Sequence, residues 1–470
     1  MMCGCGSHHS DFGGLIINHH KLTYTILLLA VILSLVSSMW ICEQPTRVNG
    51  FSSHQVPEAV FPNLINTFDQ QKVVAPDGAE KDGFGYSVAI SDDGSTALVG
   101  TYYIEFGITH PIGPGSVYAF IKEGDAWIFQ QKLPTPPMPD GDLFGYSVAL
   151  SADGSTGLVG AQGDTGLPET HVPGAAFVFT RSNVTWSQQA VLTASDRAIG
   201  DHFGISVSLS DSGNTALIGA YVDDVGTNAN QGSAYVYERS GAAWSEQAHL
   251  TTTDGAAEDY FGRSVSLSSD GNTALIGANM KMIGGNGNQG AAYIFTRTNT
   301  TWSQQSQLIA VDGAAYDWLG GSVAISADGN TALAGAQGHT VGSHMYQGAV
   351  FVFVHSGSTW NQQAMLSAPE GEVDLWGDSV ALSSDGSTAL IEDGYTFRRS
   401  GTVWAPSTRL LPEDDASGFG SSVALSEDGT IALIGANSAD IGGNQSQGAV
   451  YFFTGSYEPP ILIFLPVIFR

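Results

Sequence analysis

An all-β fold, with seven four-stranded sheets closed into a ring as a seven-bladed β-propeller, is what this sequence predicts. Three observations carry it. One unit recurs seven times, most plainly as YFGRSVSLSSDGNTALIGA at 260–278 and WLGGSVAISADGNTALAGA at 318–336. Its FG position falls at Phe84, Phe144, Phe203, Phe261, Leu319, Trp376 and Phe419, so five intervals run from 57 to 60 residues and the last is 43. Second, 59 glycines in 470 residues, roughly 13% against a usual ~7%, together with only 13% charged residues, call for many turns and leave little material for long amphipathic helices. Third, the two ends of the repetitive region are complementary halves of one unit.

Taken in order, the chain opens with residues 1–41, in which Leu22 to Ile41 carry no charge and follow Lys21. Such a stretch reads as a secretory signal, with Val36 and Ser38 small enough for cleavage after Ser38, or as a retained anchor, since about 20 apolar residues span a bilayer. Either way the remainder is expected to be extracellular or at the cell surface. Cys3, Cys5 and Cys42 all precede the repeats, so the main body holds neither a disulfide framework nor a thiol nucleophile. Residues 42–67 form a linker.

The propeller is expected over 68–454. In the unit starting at Phe203, ISVSLS supplies strand A, TALIGA strand B, GSAYVYER strand C and WSEQAHL strand D, each bounded by turn residues. Sheets of this kind cannot bury both faces alone, and radial stacking into a closed ring leaves no apolar end face. Phe68 in FDQQKVV occupies the place of Trp127, Trp186, Trp244, Trp302, Trp360 and Trp404, so a D strand precedes the first FG. GAVYFF at 448–453 is a C strand with no D strand after it. The N-terminal strand therefore closes the last blade as a non-covalent latch. Residues 455–470 form a Pro-containing apolar tail too short to span a bilayer.

The recurring F-G-x-S-V-x-x-S, D-G and A-L-I-G-A pattern resembles the FG-GAP repeats of integrin-α-type propellers. That resemblance implies a closed propeller used in adhesion, ligand binding or scaffolding, with ligands met by the face of BC and DA loops. It also invites calcium, which in such repeats uses a D-x-D-x-D-G-like loop. Here the equivalent turns are SDDG (91–94), SADG (151–154), DSG (211–213) and SSDG (268–271), too poor in oxygen ligands for a six- to eight-coordinate ion. No cofactor is expected, and calcium at most weakly, where Asp254 and Asp259 or Asp312 and Asp317 lie five residues apart.

A formal charge of −29 excludes nucleic acid, which needs a basic footprint. Acidity concentrates in the DA loops: Asp82, Asp142, Asp201, Asp259, Asp317 and Asp374 each stand two residues before the FG position, behind an earlier carboxylate. As a ring they would attract cations or basic patches; alternatively each caps its own loop by accepting backbone N–H bonds. His171, His202, His249, His339, His344 and His355 fall at unrelated places in the repeat and read as loop or surface residues. The repeated Trp of strand D, often followed by SQQ or NQQ, suits blade-to-blade packing better than a carbohydrate platform. The sixth unit lacks the long BC loop, which opens a notch and puts Arg398 and Arg399 close in sequence to Glu392 and Asp393. Sequons at Asn183 and Asn299 fall in CD turns, with a third at Asn444.

No catalytic residue is assigned. The expectation is an exported, non-catalytic binding, adhesion or scaffold propeller that presents its loop face to an extracellular protein or glycan, with possible membrane anchoring through 22–41. The alternative is a sialidase-like propeller hydrolase or lyase. Several unlike polar groups converging on the central axis would favour the latter.

Overall fold

The computed structural model describes residues 68–102, 115–136, 143–163, 173–369, 371, 373 and 375–455. The signal or anchor, the linker, nearly all of the tail, and Asp142, His171 and Asp374 lie outside the described residues.

Seven four-stranded antiparallel sheets are present, one per repeat. Six are built from consecutive strands, as in blade 4: A (Phe261–Leu267), B (Thr273–Ala278), C (Ala291–Thr298) and D (Thr301–Leu308). The seventh joins Phe419–Leu425, Ile431–Ala436 and Ala449–Thr454 to the N-terminal strand Asp69–Val73, which pairs from Asp69 opposite Thr454 to Val73 opposite Val450. Phe68 itself lies one residue ahead of that strand and packs, partly buried, against the core of the closing blade. The latch is thus placed as the sequence predicts.

Burial explains the repeated letters. Strand B is buried along its whole length in most blades, as TALIGA is in blade 3, because a neighbouring blade covers each of its faces. The FG aromatic packs edge-on against two aromatics of its own strand C, Phe84 against Tyr118 and Phe120 at 5.5 and 6.0 Å, and Trp376 against Tyr395 and Phe397 at 5.7 and 6.0 Å. Such T-shaped pairs suit the ring quadrupoles. The core consists of seven clusters, each spanning two adjacent blades; one joins Leu217 and Val236 of blade 3 to Phe261 and Ile276 of blade 4.

Three hydrogen-bonded belts hold blade to blade. Near the loop face, the serine of FGxS donates to the FG glycine carbonyl of the next blade at six of the seven joints, from Ser87 to Gly145 at 2.7 Å to Ser422 to Gly85 at 2.8 Å, while in blade 6 Ser379 Oγ accepts the Val423 N–H at 3.0 Å. Strand B approaches so closely there that a Cβ on Gly100 would stand 2.1 Å from the Gly145 carbonyl, hence glycine. On the outer strands, the indole N–H of Trp186 donates to Gln130 of the preceding blade at 3.0 Å, and Trp244 to Gln189 at 3.1 Å. At the opposite end of the axis, the AB turns form a closed circuit of backbone bonds. Asp92 N–H donates to Ala152, and the chain continues through Asp211, Ser269, Ala327, Ser384 and Glu427 back to Asp92, every bond 3.0 or 3.1 Å.

Candidate functional site

The loop face is one coupled surface. Each described long BC loop turns back through a small bridge, such as Ile283 with Asn286, and ends in a Gln-Gly pair. The glutamine carbonyl accepts the N–H at the FG position of the next blade, as Gln231 does from Phe261 at 2.9 Å and Gln347 from Trp376 at 2.8 Å. A BC loop is therefore clamped to the DA loop that follows it.

The DA carboxylates are drawn into this frame. Asp82, Asp201, Asp259 and Asp317 accept the N–H of Ala79, Ala198, Ala256 and Ala314 at 2.6, 2.5, 2.8 and 2.8 Å. Burial raises the pKa of Asp82 and Asp201. Resident cations meet the others. Lys281 lies 2.9 Å from Asp259 and also donates to the Asp254 carbonyl, and His339 lies 2.9 Å from Asp317. His339 is a loop residue, as the sequence reading allowed, but at 5% exposure it is not a surface one: it fills the place in blade 5 that Lys281 fills in blade 4. In blade 3 that place is Asp223, and His249, stacked on Tyr235 at 4.6 Å, stands 3.6 Å from both Asp196 and Asp223. Burial works to lower the pKa of His249, but the two carboxylates outweigh it and the net shift is upward. Lys132 and Lys72 likewise neutralise Asp77 and Asp414.

The AB turns use their carboxylates internally. Asp93 accepts from Ser91 Oγ, Ser95 Oγ and Ser95 N–H at 2.7 to 2.9 Å, and the same arrangement recurs at Asp153 and Asp385. Burial pulls the Asp93 pKa up, but these bonds outweigh it and leave it below the usual range. Such Asx turns need no ion to hold them. On this opposite face a 650 Å³ crevice between blades 5 and 6 is lined by Asp328, Thr331, His355, Asp385 and Arg399. These side chains already bind within the ring, Arg399 to Thr331 at 3.0 Å. Arg399 therefore stands at the far end of its strand from Glu392, and the pairing that sequence proximity offered is not made.

Two positions break the seven-fold sameness. The residue before FG has positive φ in every blade: Gly83, Leu143, His202, Tyr260, Trp318, Leu375 and Gly418 lie between 57° and 73°. Glycine costs nothing there, whereas a bulky residue costs about 1 kcal/mol or more. Five blades carry the bulky residue. The residue after FG closes a turn, as Arg263 N–H does to the Tyr260 carbonyl at 3.2 Å. Across the seven blades it is Tyr86, Tyr146, Ile205, Arg263, Gly321, Asp378 and Ser421.

These side chains meet on the axis. Tyr86 and Tyr146, from blades 1 and 2, have ring centroids 5.0 Å apart, with Tyr102 at 4.6 and 5.6 Å from them. The Arg263 guanidinium lies 5.6 Å from the Tyr221 ring of blade 3 and is also within electrostatic reach of Tyr86, Tyr146 and Asp378. One group faces four other blades only from the centre. Asp378, two residues ahead of the innermost strand Val380–Leu382, is exposed, so water reaches the axis. Its N–H donates to Glu392 at 2.6 Å, and burial followed by the Asp378 charge pushes the Glu392 carboxyl well above its ordinary range. Glu392 arrives there because the sixth BC connection is a single 3-10 turn, Glu392–Gly394.

The fold and its repeated joints define the class, a closed propeller whose loop face surrounds an asymmetric axis. The chain belongs to the FG-GAP repeat family: the family model, described as FG-GAP repeat, matches residues 67–120, 127–179, 186–237, 244–295, 302–353 and 404–453. The interval between the last two matches, 354–403, contains the first three strands of the shortened sixth unit. No curated protein matches the chain. A propeller of this family fits a binding or scaffold role.

Proposed function

We propose that this protein is an exported binding module that presents the face of its BC and DA loops to an extracellular protein or glycan. One observation carries the reading. Within a frame whose FG, Ser and Asp-Gly positions vary little from blade to blade, the two positions around each FG that face the axis and its mouth hold unlike side chains. Five of those are kept at a conformational cost that glycine would remove. Met282, Met345, Tyr316 and Leu375, all exposed on the loops of blades 4 to 6, extend the contact surface. The acidic DA ring serves the same face indirectly, because its carboxylates set the loop conformations. Binding of the full chain to an array of glycans and extracellular proteins tests the reading, and silence across the array would sink it.

A hydrolase or lyase is the second reading, favoured by the unlike groups on the axis. Among the described axial residues, however, no nucleophile is hydrogen-bonded to a general base, which such chemistry needs. Product formation from acidic or neutral oligosaccharides incubated with the chain would establish it.

A further inference from the structure

The axial mouth has a specific chemistry. Arg263 is a half-buried guanidinium in a chain of net charge −29, yet among the described residues no acceptor hydrogen-bonds it and no carboxylate lies within ion-pair distance. Every other buried or half-buried cation of the loop face has a partner: Lys281 has Asp259, His339 has Asp317 and His249 has Asp196 and Asp223. Desolvating an arginine without an acceptor is costly, and its planar fork of donors matches a carboxylate.

Space for a ligand adjoins it. Between Arg263 of blade 4 and Asp378 of blade 6, blade 5 contributes Gly321, whose φ is not in the left-handed region. A Cβ there would meet nothing nearer than the Trp318 carbonyl at 3.6 Å. Neither backbone nor packing calls for glycine at 321, so the gap is an open part of the mouth. Around Arg263 stand Tyr221, whose ring is 5.6 Å from the guanidinium, and Tyr86 and Tyr146 within its electrostatic reach, aromatic rings and hydroxyls that suit a sugar ring. Across the gap, Asp378 is an acceptor for hydroxyl groups and Glu392 adjoins it.

We propose that this mouth binds an acidic sugar, its carboxylate held by Arg263 and its ring lying against the axial tyrosines in the gap left by Gly321. The proposal deepens the binding-module reading and rests on it. One guanidinium with the Asp378 carboxylate across the gap accepts a single negative charge and disfavours a polyanion, so the ligand is a uronic acid residue, alone or in a sparsely charged glycan.

Calorimetric titration of the full chain tests it, with glucuronic acid and a glucuronate-terminated trisaccharide as probes, and glucose, the matching neutral trisaccharide and acetate as controls. The acidic trisaccharide is expected to bind at least about tenfold tighter than the neutral one and than acetate. Arg263→Met should abolish that preference, Arg263→Lys should retain part of it, and Gly321→Leu should block both sugars while melting close to the parent. Equal affinity for acidic and neutral sugars, affinity for acetate as high as for the sugar, or undiminished binding in Gly321→Leu would overturn the proposal. Absence of any uronate binding would overturn it too. Should Arg263→Met fail to fold, Gly321→Leu and the neutral sugar still decide. A protein or neutral glycan captured on the array and insensitive to Gly321→Leu would leave the binding-module reading standing and remove this one.

Discussion

At the scale of single residues, what matters is whether a charge inside the loop face has its counter-charge. Lys281 is 5% and Asp259 3% exposed, and the lysine is the ion pair on which that carboxylate depends. Removing one member of a buried pair costs about 3 kcal/mol or more, because the other charge is left desolvated. Lys281→Met is therefore expected to lower stability to denaturant strongly, and Lys281→Met combined with Asp259→Asn to recover most of the loss. The same logic governs calcium. The AB-turn carboxylates are occupied by their own serines and N–H groups, and Asp259 and Asp317 already have Lys281 and His339. Chelation with EDTA is expected to leave the melting temperature nearly unchanged. A large drop reversed by calcium would show that an ion displaces these resident partners.

At the scale of elements, the joints between blades are the vulnerable points. Trp186 is 1% exposed and its N–H has Gln130 as acceptor, so Gln130→Ala leaves a buried donor unpaired and should cost about 1 to 2 kcal/mol in chemical denaturation. At the latch seam Gln71 exchanges bonds with the Trp127 backbone as Gln131 does with that of Trp186, but the Trp127 indole N–H has no acceptor among the described residues. The AB-turn circuit carries a titrating group. Burial, then the charges of Asp211 and Glu427, push Asp92 up to about 6. Its folded pKa lies above the unfolded value of ~3.9, so the folded state holds the extra proton and stability falls as pH rises through about 6. Asp92→Asn is accordingly expected to raise the melting temperature at about pH 8, and the difference from the parent to shrink towards about pH 5. An equal gain at both pH values would mean that Asp92 is not the titrating group.

At the scale of the whole molecule, closure is the decisive feature. The strand Asp69–Val73 is joined to its blade by ladder bonds, apolar contact and the Lys72–Asp414 ion pair, so opening the ring costs the whole strand at once. Deleting residues 68–74 should lower the melting temperature by several degrees at least, and adding the excised segment back as a peptide should restore part of it. No change would place closure elsewhere. Closure also creates the axis: residues as far apart in the chain as Tyr86, Arg263 and Asp378 face one another only because seven blades complete a circle.

The sequence by itself determined the blade count, the strand order and the latch, because each follows from periodicity and from turn residues that act locally. Phe84, Gly85 and Ser87 were legible as a repeated joint for the same reason: repetition of one letter reflects one packing environment met seven times. The position between Gly85 and Ser87 carried no such signal. Two tyrosines, Tyr86 and Tyr146, stand there beside Ile205, Arg263, Gly321, Asp378 and Ser421, and a search for repeated motifs passes over a place where the repeats differ. Reading the variable column inside the invariant frame is the signal that would have found them. Their convergence, the burial of His339, the pairing of Lys281 with Asp259, and the separation of Arg399 from Glu392 were decided only by the tertiary structure. Each depends on which blades meet and which strand ends lie on one face, and those long-range relations exist only once the ring is closed.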